Sequence, residues 1–200
     1  MKDPRFAKLV VFVNSLVPLA LLASDAYDHN LGPDPVNSAL HTTGNLALIF
    51  LLLTLCITPL RRLTGANWPS HFRRMLGLFA FFYALTHFGI YFSCLQVFSI
   101  SGVIADTIKR PFILYGMSAL VLMIPLAITS TNGMIKRLGA AKWHLLHRLI
   151  YVAAICGVVH YWKLVKADIR KPAIYAAALT LLLAYRVGTA MRYSRPAAVR

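Results

Sequence analysis

The sequence predicts an all-α fold, an integral membrane six-helix bundle with both termini cytoplasmic. Three observations lead there. The 200 residues are 58% hydrophobic, with a mean hydropathy of +0.65. Only 14% of them are charged, whereas a soluble domain carries about 25%. Those charges sit between apolar runs, each close to the ~20 residues that cross a hydrocarbon core. A chain of this length suits one compact bundle, so residues 1–200 are read as a single transmembrane domain.

The elements follow in order. The first span, about 9–27, comes after Lys2, Arg5 and Lys8, as the apolar core of a signal peptide would. The "ALLASDAYDHN" that closes it is a weak cleavage pattern, so the segment is read as a retained helix. The second, about 40–60, starts near His41 and runs to Pro59 and the Arg61–Arg62 pair. The third, about 74–95, follows Arg73 and Arg74. The stretch 96–111 is either an amphipathic surface helix or a plain loop. The remaining spans are about 112–130, 144–163 and 172–190. Pro18, Pro59 and Pro125 are tolerated because neighbouring helices can satisfy the carbonyls that proline frees. Trp68, Trp143 and Trp162 stand near span ends and read as interfacial anchors.

Charge sets the orientation. Six spans put both termini on one side. Of the 21 Lys and Arg residues, only Lys109, Arg110, Lys163, Lys166, Arg170 and Lys171 fall on the other, so the terminal side is cytoplasmic. The net charge of +15 does not imply nucleic acid, because the basic residues punctuate apolar segments and line no soluble face. Cys56, Cys94 and Cys156 lie within or at the ends of apolar runs and form no C-x-x-C pair. They read as small hydrophobes, not zinc ligands or disulfides.

Histidines carry the chemistry. His87 on the third span and His160 on the fifth fall at similar depth in the outer half. Two imidazoles from separate helices can ligate one haem b iron in an apolar slot, here expected to include Phe81, Phe82, Tyr83 and Tyr161. Spacing alone leaves two other readings open, a proton path and ordinary interhelical hydrogen bonds. His147 lies near the inner end, ~20 Å from His160 along an ideal helix and ~140° around it. The two share no face unless the helix bends. A second haem there needs a partner ligand; the position 14 before His87 is Arg73, which cannot ligate iron, and His71 and His144 are nearby substitutes that also read as headgroup-layer residues. Arg73, Arg74, Lys142 and Arg148 converge at the inner face. They serve orientation and lipid contact, or pair with haem propionates or a flavin phosphate. No Gly-rich dinucleotide fingerprint is present.

Four stretches carry a resemblance: "ALHTTGNLALIFLLLTLCITPLRRLTG" (39–65), "RRMLGLFAFFYALTHFGIYF" (73–92), "KRPFILYGMSALVLMIPLAITST" (109–131) and "WHLLHRLIYVAAICGVVHYWKLVK" (143–166). Their order of H-x-T-G, R-R-x-L-G…H, K-R-P…TS and L-H-R-L-x-Y…H-Y resembles the MsrQ (formerly YedZ) family of the ferric-reductase-like transmembrane group, over about residues 5–190. The resemblance implies a haem b subunit of the bacterial inner membrane, with His87, His147 and His160 as its characteristic histidines. It implies MsrP as partner, a periplasmic molybdopterin enzyme that repairs methionine sulfoxide in envelope proteins. It also implies the quinone pool or a cytoplasmic flavin reductase as donor, and FMN as a second cofactor. Sulfoxide reduction is then expected on the partner, with this chain carrying electrons. The rival readings are a ferric or cupric reductase of the same architecture, and a haem-free transporter or assembly factor using the histidines for protons.

Overall fold

The computed structural model describes residues 4–194. Lys2, Arg195 and Arg200, which entered the charge count above, lie outside the described residues. In chain order the helices are α1 (Pro4–Tyr27), α2 (Pro35–Thr64), α3 (Arg73–Ile90), α4 (Ile100–Lys109) and α5 (Pro111–Ile128). They continue as α6 (Asn132–Leu138), α7 (Ala140–Leu146), α8 (Leu149–Leu164) and α9 (Arg170–Ser194). A 3₁₀ turn, Trp68–His71, precedes α3, and a π-helical turn, Tyr91–Leu95, extends it. Six stretches are long and apolar enough to cross a membrane: Arg5–Tyr27, Pro35–Thr64, Arg73–Leu95, Pro111–Ile128, Ala140–Leu164 and Arg170–Met191. They coincide with the six expected spans. The ambiguous stretch 96–111 resolves largely into α4, whose Ser99 cap accepts from the Gly102 N–H at 3.0 Å.

Local chemistry explains the boundaries. Asp34 caps α2 by accepting from the Asn37 N–H at 3.1 Å, and Pro35 opens the helix with its φ already set. Gly65 ends it at φ +69°, a left-handed turn that glycine adopts without a Cβ clash. The fifth span departs from the single helix expected over 144–163. It breaks at His147, where φ −70° and ψ −3° leave the α-helical path between α7 and α8. The bend frees His147 from the face that an unbroken helix would impose.

Two helix pairs form the frame. α2 packs most extensively on α3, and α5 on α8. Ala80, Ala153 and Ala154 are fully buried, and such small residues let helix backbones approach closely in lipid. Leu51, Leu55, Phe79, Tyr83 and Met123 fill the core between the pairs. Tyr83 donates its hydroxyl hydrogen to the Ser15 carbonyl at 2.6 Å, which ties α3 to α1. α1 and α9 are peripheral and carry outward apolar side chains such as Leu9, Leu21, Leu181 and Val187. α9 docks through Leu179, Tyr175 and Leu183 on the core and through a cation. Arg186 donates to the Tyr151 hydroxyl and to the Leu55 carbonyl at 3.0 Å, with its guanidinium over the Tyr151 ring. Replacing Arg186 with Met should lower the thermal midpoint of the detergent-solubilised chain, because the buried Leu55 carbonyl and the half-buried Tyr151 hydroxyl lose their donor at a cost of about 1–3 kcal/mol. An unchanged melting curve would show that α9 docks without that link.

Candidate functional site

The site begins with two backbone carbonyls. In an α-helix the carbonyl of residue i points toward residue i+4. On α2 the residue four after Leu40 is Gly44, and on α5 the residue four after Phe112 is Gly116. Neither glycine has a side chain to cover the carbonyl below it. A histidine fills each gap. His87 Nδ1 lies 2.9 Å from the Leu40 oxygen, and His160 Nδ1 lies 2.6 Å from the Phe112 oxygen. The fit is tight. A Cβ on Gly44 would come within 3.2 Å of the His87 ring, and one on Gly116 within 2.9 Å of His160 Nδ1. Thr43 adds a hydroxyl 3.4 Å from His87 Nδ1.

These contacts set the ring chemistry. A carbonyl only accepts, so each Nδ1 must carry the proton and donate it. That leaves Nε2 on each ring as an unprotonated lone pair, the form in which imidazole binds a metal. The ring centres stand 6.1 Å apart with planes at 82°. An imidazole nitrogen lies about 2.0–2.1 Å from its metal and about 1.1 Å from its own ring centre, so two rings on opposite sides of one metal atom have centres about 6.2 Å apart. Two imidazoles on one metal can adopt any angle between their planes, so 82° does not oppose such a pairing.

Both histidines line a cavity of about 320 Å³ whose wall is chiefly apolar, including Leu48, Leu51, Phe88, Ile113, Leu120 and Met123. It opens where α2 and α5 begin and α3 and α8 end, the end marked by Asn37, His41, Tyr91, Arg110 and Leu164. Among the described residues no group of three or more His, Cys, Asp or Glu side chains converges. Two imidazoles are too few ligands for a structural zinc site, and they would suit a metal whose other ligands come from a macrocycle.

His147 belongs to a separate cavity of about 240 Å³, with Arg73, Arg74, Thr54, Ser70, Gly77 and Trp143. Its ring stacks on Trp143 at 3.8 Å, and its Nε2 lies 3.0 Å from the Thr129 hydroxyl. Trp143 donates its indole N–H to the Thr129 carbonyl at 2.9 Å, so it braces His147 instead of serving only as an interfacial anchor. Met123 lines both cavities, and it is 5% exposed.

The sequence expectations divide accordingly. His87 and His160 come together, and His147, Arg73 and Arg74 come together elsewhere. Arg148 caps α8 as an exposed residue and lines neither cavity. Of the slot residues expected from spacing, Tyr161 lines the His87–His160 cavity. Phe81 lines the other cavity, Phe82 is 37% exposed, and Tyr83 is buried against Phe50 and Ser15. The reason is rotation. Phe81 and Phe82 lie six and five residues before His87, about 120–140° around α3 from it, whereas Tyr83, four before, is one turn deeper on a similar face and is engaged by Phe50 and Ser15. Sequence reasoning missed Leu40, Phe112, Gly44, Gly116 and Arg110. The H-x-T-G motif held Gly44 in view, but carbonyl anchors have no side-chain signature.

Residues 43–158 match the family model described as ferric reductase like transmembrane component. A relative from Herminiimonas arsenicoxydans is 48% identical over 182 residues, covering 90% of this chain and 84% of the relative. One from Rhodospirillum rubrum is 45% identical over 98% of this chain and 94% of its own length. One from Deinococcus radiodurans is 46% identical over 94% and 92%. All three are named protein-methionine-sulfoxide reductase heme-binding subunit MsrQ.

One expectation is independent of any ligand. In the chain prepared without metal, the 15N resonances of His87 and His160 should report neutral rings protonated at Nδ1. An Nε2–H tautomer on either ring would contradict the carbonyl anchoring.

Proposed function

Because this chain belongs to the ferric reductase like transmembrane family and to the MsrQ heme-binding subunits, we propose that it is a haem b electron carrier of a methionine sulfoxide reductase system, with His87 and His160 as the two axial ligands. The observation that carries this reading is the pair of imidazoles with anchored Nδ1 atoms and ring centres 6.1 Å apart in an apolar cavity. Bound haem supplies a one-electron carrier that cycles between ferric and ferrous iron with little atomic movement. The residues do the rest. The Leu40 and Phe112 carbonyls fix the tautomer and make each Nε2 a stronger donor. The leucine, phenylalanine and methionine wall excludes water and keeps the dielectric low.

The positive-inside pattern supports cytoplasmic termini, and with the family resemblance it favours a bacterial inner membrane with the His87–His160 cavity near the periplasmic face. Electrons would then leave to a periplasmic molybdopterin partner, MsrP, which reduces sulfoxides in envelope proteins. Input would come at the His147 cavity, from the quinone pool or a cytoplasmic flavin reductase. A second bis-imidazole haem does not fit there. His147 is the cavity's one imidazole among the described residues, and Arg73 stands on α3 fourteen positions before His87. Arg73 and Arg74 suit an anionic group such as the phosphate of FMN. The family description also favours a second reading, reduction of ferric or cupric ions, which the absence of a stable complex with an MsrP partner would support.

Haem content per chain and the dithionite-reduced spectrum test the ligands. His87→Ala and His160→Ala should each abolish bound haem or leave it five-coordinate, whereas His147→Ala should retain the b-type bands and slow quinol-driven or flavin-driven reduction. Wild-type spectra in both of the first two variants would refute the assignment. The glycines give a graded test. Gly116→Ala should lower haem occupancy more than Gly44→Ala, because its Cβ falls closer to the ring. The reverse order would mean that the carbonyl anchors do not control the ligands.

A further inference from the structure

Among the roles open to the basic residues at the opposite end of the bundle was pairing with haem propionates. Their distribution argues against it. Arg73 and Arg74 line the His147 cavity, and neither lines the cavity of His87 and His160. Among the described residues Arg110 is the only Lys or Arg that lines the latter, and it stands at the open end.

Arg110 is placed by a polar cluster that reaches both histidine-bearing helix pairs. Asp106 on α4 takes the Arg110 Nε at 3.3 Å, the Tyr91 hydroxyl at 3.0 Å and the Gln96 amide at 2.7 Å. The Gln96 amide also donates to the Tyr91 oxygen at 2.9 Å. Tyr91 is four residues after His87, so it sits one turn farther along the same helix face. Arg110 caps α5 two residues before Phe112, whose carbonyl anchors His160. The cluster thus spans the cavity mouth about one helical turn beyond the two imidazoles. The Asp106 ion pair uses Nε and leaves the terminal amino groups of the guanidinium for a second anion. Carboxylates in an otherwise apolar slot need a cation and hydrogen-bond donors at its rim.

We propose that Arg110, held by Asp106, is the counter-charge for the carboxylate side chains of the macrocycle in this cavity, with the Tyr91 rim beside it. This rests on the haem reading above. Arg110 binds the carboxylates, and Asp106 is a positioning residue that aims the guanidinium. A lipid phosphate is the other anion that Arg110 could meet at this depth, and the experiment separates the two.

The full-length chain, produced under haem limitation and loaded in detergent with haem or haem dimethyl ester, gives the test. The wild-type spectrum is read first. If it lacks b-type bands, the haem reading itself fails. With haem, Arg110→Gln should release the cofactor to apomyoglobin about fivefold faster than wild type, as for loss of a partly exposed ion pair. Its midpoint potential should shift negative, since uncompensated carboxylates favour ferric iron. Arg110→Lys should recover much of both effects, and Asp106→Asn should fall between. With the dimethyl ester, which has no carboxylates, wild type and Arg110→Gln should behave alike. Unchanged release and potential in Arg110→Gln, an equal defect with the ester, or failure of that variant to load either porphyrin would each overturn the proposal while leaving the axial ligands untouched.

Discussion

Everything at the site depends on one interaction, the hydrogen bond from an imidazole Nδ1 to a helix carbonyl that is already part of the helical ladder. In lipid, a backbone oxygen has no water to turn to, so its second lone pair is normally covered by side chains or left facing hydrocarbon. Glycine four residues on uncovers it. The ring that fills the opening satisfies the carbonyl, keeps its own polar nitrogen out of hydrocarbon, and presents its other nitrogen in the deprotonated form. Helix packing, tautomer and donor strength are therefore settled together. Moving α2 against α3, or α5 against α8, would alter all three at once.

The two cavities lie along the bundle with Met123 common to both. That side chain is buried and polarisable, and it lies on the helix that also carries Gly116 and Phe112. The relay proposed above would need sites at both ends with little protein between them, and the broken helix at His147 would serve that requirement. By leaving the α-helical path there, the chain lets one span contribute His160 to one cavity and His147 to the other, although an ideal helix would turn them to different faces.

Much of the architecture was legible. Six apolar runs of membrane length fell where six long helices form, because lipid permits little else for such segments. The pairing of His87 with His160 was also legible, since depth along antiparallel spans follows from counting residues. The lining was not. Phe82 sits near His87 in sequence, but five positions of helix rotation turn it outward, and Tyr83, one turn from His87 on a similar face, is taken up by Phe50 and the Ser15 carbonyl of α1. Arg110 was counted as an orientation charge, because its meeting with Asp106 and Tyr91 depends on α4, a stretch whose helicity composition left open. Leu40 and Phe112 act through backbone oxygen, and any residue type could have stood there.

The two half-sites repeat each other almost to the residue. Carbonyl, glycine and histidine occupy positions 40, 44 and 87 in one, and 112, 116 and 160 in the other. Walls built alike offer a flat guest nearly the same surface on its top and its underside. Such a slot has little means of telling a disc from the same disc turned over. Whatever chooses between the two insertions must lie off the local axis, at the rim where the resemblance between the halves ends and one half alone carries the surface helix α4.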